Sequence, residues 1–186
     1  MTPRNLSCFL LFIAASIAAC KQSPQEQAQM PSRTYHYAQP DAASIREKHS
    51  VYVPVYSHLY GEDGTMTVGM TTTLSIRNIS FRDSFYVTGV VYYGSQGELL
   101  QRYLQKPLVL RPMHSVEFVV ERREEKGGAG ANFVVDWAAT APMANAPMIQ
   151  AVTSIISTGF SFVSEGREIN NNSLSLPAQQ VINAIR

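Results

Sequence analysis

Small residues concentrate in Lys126-Gly127-Gly128-Ala129-Gly130-Ala131-Asn132. Such a run lets consecutive backbone N–H groups converge on an anion or a carbonyl oxygen. It lacks the Gly-Lys-Ser/Thr ending of a phosphate-binding P-loop and leads into the β-type run Phe133-Val134-Val135-Asp136-Trp137 instead of a helix. A hairpin loop whose glycines supply positive φ is the plainer reading. Gly127, Gly128, Gly130 and Asn132 are still the residues expected to touch a ligand or partner, because binding groups favour loops on a rigid scaffold. Just upstream, Glu121-Arg122-Arg123-Glu124-Glu125-Lys126 mixes both signs of charge and sums to zero, as a solvated loop arm or a charged rim around a binding patch would. A tyrosine stripe is the second candidate. In VYVPVYSHLY (51–60), Tyr52, Tyr56 and Tyr60 share one strand face with His58, opposite Val51, Val53, Val55 and Leu59. Exposed rings so spaced can stack on sugars or on a partner's side chains, so Tyr52 and Tyr56 join the expected contact residues.

The chain has 4 histidines, His36, His49, His58 and His114. With Met66, Met70 or Met113 they could offer the imidazole and thioether donors that copper and zinc take. No two have the spacing that aligns ligands on one strand or helix, and Met113 and His114 are adjacent, so in a strand they point to opposite faces. No metal or cofactor is therefore expected; an envelope metal-binding protein using His58 or His114 is the alternative. Glu117 and Asp136, in separate strands, could face each other across a cleft as a hydrolase pair, a further alternative. Neither Gly-x-Ser-x-Gly nor His-Glu-x-x-His occurs. No catalytic residue is assigned, and the expected class is a non-enzymatic binding or accessory module.

The elements that must position these residues follow from composition and patterning. A chain of 186 residues suits one domain with extensions, and 45% hydrophobic against 16% charged residues supports a packed core. The net charge of +1 gives no basic field for nucleic acid. The 2 cysteines exclude a disulfide-rich scaffold. At the start, Arg4 precedes the apolar run Cys8–Ala19. A spanning helix needs roughly 17–25 apolar residues, so residues 1–19 read as a secretory signal peptide.

Ile17-Ala18-Ala19-Cys20 resembles the bacterial lipobox: an aliphatic residue, two small ones, then cysteine. The resemblance implies that the Cys20 thiol carries diacylglycerol and becomes the new N-terminus. Cys8 then leaves with the leader and the remaining sulfur is capped, so neither a disulfide nor cysteine catalysis is expected. Loss of Arg4 makes basic and acidic residues equal in number. The expected membrane partner is thus held by acyl chains, each buried methylene contributing about 0.8 kcal/mol. Lys21 stands where an aspartate would resemble an inner-membrane retention signal, which directs the expectation to the outer membrane, facing the periplasm, in a Gram-negative host.

Residues 20–49, rich in Gln, Ser and Pro in their first half, read as a flexible lipid-anchored tether reaching about 90 Å if fully extended. From Ser50 the chain turns to short β-type runs. Pro54 should put the first strand at an edge or on a bulge. Met70, Thr72, Leu74 and Ile76 alternate with Thr71, Thr73, Ser75 and Arg77, a half-buried strand. FYVTGVVYY (85–93) is apolar on both faces and predicts a central strand. The echo of Phe118-Val119-Val120-Glu121 in Phe133-Val134-Val135-Asp136 suggests two strands of one hairpin. The expected fold is all-β, an immunoglobulin-like β-sandwich of about seven to eight strands over residues 50–170, followed by a disordered tail at 171–186.

VYVPVYSHLY, TTTLSIRN, YLQKPLVLRPMHSVEFVVE and GGAGANFVVDW resemble an uncharacterised bacterial family, the domain of unknown function number 3124. The resemblance runs over about residues 49–170. GGAGANFVVDW and VYVPVYSH are its most specific strings. It implies a small exported or lipid-anchored protein with no assigned activity, and it transfers no site residue. The expected role is a cell-envelope binding or accessory module contacting another envelope protein or polymer through the Gly-rich loop and one strand edge. Lipidation has a direct readout: cells fed radioactive palmitate label the wild type, and Cys20→Ala removes the label. Equal labelling of both would defeat the assignment.

Overall fold

The protein is seen here as a computed structural model that describes residues 34–124 and 126–169. The compact unit they build begins at Tyr35. The expected leader, Cys20, residues 20–33 of the expected tether, Glu125 and the tail lie outside the described residues. Among the described residues, no helix is long and apolar enough to cross a membrane.

Alternating apolar and small polar residues produce strands throughout. They are β1 (Glu47–Pro54), β2 (His58–Tyr60), β3 (Thr67–Gly69), β4 (Thr71–Arg77), β5 (Phe85–Tyr93), β6 (Leu99–Arg102), β7 (Leu108–Leu110), β8 (Ser115–Val120), β9 (Asn132–Ala139), β10 (Met148–Ile155), β11 (Phe160–Glu165) and β12 (Arg167–Ile169). All pair antiparallel. One six-stranded sheet runs β12-β1-β9-β5-β6, with β7 also on β5; a four-stranded sheet runs β11-β10-β4-β8; β2 and β3 form a small hairpin. The inward side chains of both sheets merge into one core: Val53, Phe85, Phe133 and Val135 from the first, Leu74, Ile76, Phe118 and Ala151 from the second. The fold is an all-β sandwich. Each fully buried Val, Leu, Ile or Phe side chain stabilises it by roughly 1.5–3 kcal/mol. Tyr103, just past β6, wedges between the layers, its ring 5.5 Å from Phe118 and 5.6 Å from Phe133.

The expected strands are present, but they number more than seven to eight because short pieces flank the long ones. Among the long strands, β4–β8 and β5–β9 reproduce the second–fifth and third–sixth pairings of an immunoglobulin sandwich. The first long strand, β1, lies on β9, and the long strand after β9, β10, lies on β4, so these two have exchanged sheets relative to that arrangement. The central position of β5 is as read from sequence. A register shift between Val87 and Gly89 moves the inward positions from Phe85 and Val87 to Val90 and Tyr92. The bulge gives room to Asp136, which accepts a hydrogen bond from the buried Ser50 hydroxyl. A Cβ on Gly89 would meet Asp136 Oδ2 at 2.8 Å.

Three expectations need correction. VYVPVYSHLY is not one edge strand: β1 ends at Pro54 and is flanked by β12 and β9. Val55 N donates to Ala131 O, so alternate amides face β9 and the missing donor of Pro54 faces the other side, where the β12 ladder has already ended at Tyr52–Arg167. The echoed FVV segments are not a hairpin, since β8 pairs with β4 and β9 with β1 and β5; they are equivalent inward-facing strands of opposite layers. Finally, residues 34–49 of the expected tether are ordered against the sandwich. Tyr35 stacks on Phe118 at 6.0 Å, Tyr37 bridges to Leu108, and Val109 N donates to His36 O at 2.9 Å. The aromatic and backbone groups of Tyr35-His36-Tyr37 outweigh the polar composition around them.

Gly166 carries the chain from β11 in one sheet to β12 in the other. A Cβ there would lie 2.6 Å from Val51 Cγ1 and 2.8 Å from the Ile149 carbonyl oxygen. Gly166→Ala should therefore cost about 1–3 kcal/mol in urea unfolding, while Ser161→Ala on exposed β11 changes stability by less than about 0.5 kcal/mol. Equal effects would show that the crossing tolerates a side chain.

Candidate functional site

The Gly-rich loop joins β8 to β9, and its backbone groups do converge on an anion, but the anion is its own Glu124. The Glu124 carboxylate accepts from Lys126 N at 2.9 Å, Gly127 N at 3.1 Å and the Tyr92 hydroxyl at 3.0 Å. Gly127 O accepts from Ser95 N at 2.9 Å and Ser95 Oγ at 2.8 Å, and Gly130 N donates to Ser95 Oγ at 2.8 Å. Gly128 O accepts from Ser57 N at 3.1 Å. Asn132 opens β9 opposite Pro54 and Tyr93. The loop is thus locked between the β5–β6 turn and the β1–β2 link. Gly127 is needed for close approach, because a Cβ would fall 1.8 Å from the Tyr92 hydroxyl; Gly128 is needed for its φ of 76°.

Burial, followed by the charge of Glu124, raises the Tyr92 phenol pKa well above its ordinary value. Burial, with Glu124 and Glu121, pushes Tyr103 up to about 12. Both phenols therefore stay protonated as donors, Tyr103 to Val119 O at 3.1 Å.

Beside the loop lies a groove of about 700 Å³. One wall is β6, with Leu99, Leu100 and Gln101; the other carries Arg123, Glu124 and Lys126, with Tyr92 beneath. Among the described residues β6 pairs only with β5, so its outer backbone edge adjoins no strand. Leu99 is 44% exposed. Among the described residues, neither Arg123 nor Lys126 has an ion-pair partner. Among the described residues the groove thus offers an apolar strip, a strand edge that no other strand covers and two cations without an ion-pair partner.

The other expected contact residues do not form one surface. Tyr52 is half-exposed on the outer side of β1, between Val134 and Arg167. Tyr56 turns to the β11 side, its ring 5.4 Å from Phe162. His58 and Tyr60 lie on the separate β2–β3 hairpin, 5.5 Å apart. The stripe breaks because the chain leaves β1 at Pro54. Glu117 projects from the outer face of β8 and Asp136 from the outer face of β9, on opposite sides of the sandwich, so they share no cleft. Met70 is fully buried. Among the described residues, no group of three or more His, Cys, Asp or Glu could hold a metal ion. Sequence reasoning missed Leu99 and Leu100. Their signal was an adjacent apolar pair on a short strand, one of which must face outward.

The arrangement defines an all-β sandwich with an open groove along an edge strand. The chain belongs to the family described as "Protein of unknown function (DUF3124)", whose model matches residues 48–169. No curated protein and no solved structure matches it significantly.

The contact between loop and phenol can be tested by a double-mutant cycle. Gly127→Ala should lower stability by about 1–3 kcal/mol, and Tyr92→Phe, which removes the hydroxyl that the new methyl group strikes, should recover part of that loss. Strict additivity in urea unfolding would refute the contact.

Proposed function

We propose that this protein is a non-enzymatic accessory module of the bacterial cell envelope, lipid-anchored through Cys20, that binds another envelope protein or polymer along the β6 groove. The observation that carries this reading is the meeting, in one groove, of a strand edge with the charged flank of the Gly-rich loop. An extended segment laid along β6 would add backbone hydrogen bonds to the free edge. Its apolar side chains would cover Leu99 and Leu100, and an acidic group would meet Arg123 and Lys126. The glycines themselves do not contact the ligand in this reading; they hold Glu124 and Tyr92 so that the wall stays rigid. The leader-like run before Cys20, with Lys21 after it, supports attachment at the outer membrane facing the periplasm, where a tethered binding module can reach its partner.

Photo-crosslinking in cells tests the groove. Probes at Leu99 and Lys126 should capture one common species, and Arg123→Glu should reduce that capture at least about tenfold if the opposite charge is read. A probe at Val163, on the outer face of the four-stranded sheet, serves as control. No common species, or equal capture from Val163, would overturn the proposal.

A further inference from the structure

We propose that His36 and His114 form a two-imidazole site for a borderline divalent transition-metal ion, Zn²⁺ or Cu²⁺, at the junction of the N-terminal segment and the β7–β8 turn. The two rings lie 6.4 Å apart, centroid to centroid, inclined at 36°. Both residues are exposed. Their backbones are fixed independently. His36 O accepts from Val109 N at 2.9 Å; His114 N donates to Arg111 O at 3.1 Å, and His114 O accepts from Asn78 N at 2.8 Å. The segments that carry the two rings are therefore held in place, so chelation orders only the side chains themselves.

A second observation points to the same place. Met113, immediately before His114, is the one non-glycine residue with positive φ among the described residues, at 61°. For an L-residue that conformation is strained, and it takes His114 out of the plain strand alternation that sequence spacing assumes. Met113 N donates to Ser80 O at 3.2 Å, which holds the strained turn. Such outliers gather at ligand sites.

The geometry is within reach of a metal. Zn–N bonds of about 2.0–2.1 Å at a tetrahedral angle bring two ring centres to about 5 Å, so rotation of the exposed rings must close the pair by about an ångström. With only two protein ligands, water would fill the remaining positions. Imidazole nitrogen suits Zn²⁺ and Cu²⁺ better than it suits Mg²⁺ or Ca²⁺. The site is independent of the β6 groove: it would clamp the segment leading towards residue 33 onto the sandwich.

Calorimetric titration of the full chain, purified in detergent and stripped with a chelator, with ZnCl₂ and with CuSO₄ tests the site. One equivalent should bind with micromolar affinity. His36→Ala and His114→Ala should each weaken binding at least about tenfold, and His58→Ala should leave it unchanged. Electron paramagnetic resonance of the Cu²⁺ form should show coupling to two imidazole nitrogens in the wild type and to one in either single variant. Absence of micromolar uptake, uptake retained in His36→Ala or His114→Ala, or equal loss in His58→Ala would overturn the proposal. The substituted rings are exposed, so circular dichroism of the variants should match the wild type; a changed spectrum would show that these histidines serve packing and would count against a surface metal site.

Discussion

Strand β9 is paired along its length on both sides, with β1 from Glu47 to Pro54 and with β5 from Tyr86 to Tyr93. A strand so flanked finds partners for its backbone polar groups in its neighbours, which lets it lie buried in the sheet. Phe133, Val135, Trp137 and Ala139 then fill the core from its inner side. The described residues contain no cysteine, so cohesion rests on this ladder and the apolar area it buries. Asp136 is the exception on the outer side, and the β5 bulge with its side-chain-free Gly89 is what accommodates it. Extra width in β5 and a missing Cβ solve one steric problem together.

That central ladder also fixes where anything functional can sit. The groove lies where β5 ends at Tyr92 and Tyr93, whereas β7 pairs with the start of β5 at Phe85 to Val87. His36 is bonded to Val109, which pairs with Tyr86, so the imidazole pair and the groove at Tyr92 lie well apart along β5, about 20 Å at the usual rise. At the groove end, the internal carboxylate of Glu124 occupies the amide cradle of the Gly-rich loop. An external anion would have to compete with a tethered one already bonded to a buried phenol. Hence the glycines serve architecture, and the exposed Arg123 and Lys126 on the flank, without an ion-pair partner among the described residues, are the groups that the proposed function turns to a partner.

The sequence revealed the parts governed by local pattern and hid those governed by tertiary pairing. Met70, Thr72, Leu74 and Ile76 alternate cleanly, and all are buried; periodicity of two is a property of the strand itself. The central place of FYVTGVVYY was legible because apolar residues fill both alternating sets of positions, whereas the bulge that turns Phe85, Val87, Val90 and Tyr92 all inward was not. By contrast, nothing local distinguishes β8 from β9, whose echoed residues obey the same alternation yet belong to opposite layers. The Gly-rich loop was legible as an anion-shaped cradle, but its occupant was not, since identifying it requires knowing that Tyr92 lies beneath Glu124. The tyrosine stripe failed at Pro54, where the strand ends two residues after Tyr52 and period-two reasoning no longer applies. His36 and His114 could not be paired from spacing, because 78 positions separate them in the chain and their segments meet through tertiary bonds, Val109 N to His36 O and Ala38 N to Pro107 O.

The order found at residues 34–49 changes the mechanical picture of an anchored module. A tether of residues 20–49 would reach about 90 Å at full extension. With Tyr35 stacked on Phe118 and Tyr37 bridged to Leu108, only residues 20–33 remain between Cys20 and the sandwich, a span of at most about 50 Å. A lipid-anchored form, as proposed, would therefore work within that distance of its own membrane leaflet. A partner in the same membrane, or one that extends to it, would then meet the proposed groove at a higher effective concentration than a partner across the compartment. Stripping Tyr35 and Tyr37 from the sandwich would lengthen that reach, and the proposed bis-imidazole site sits at His36, between the two rings that would have to let go.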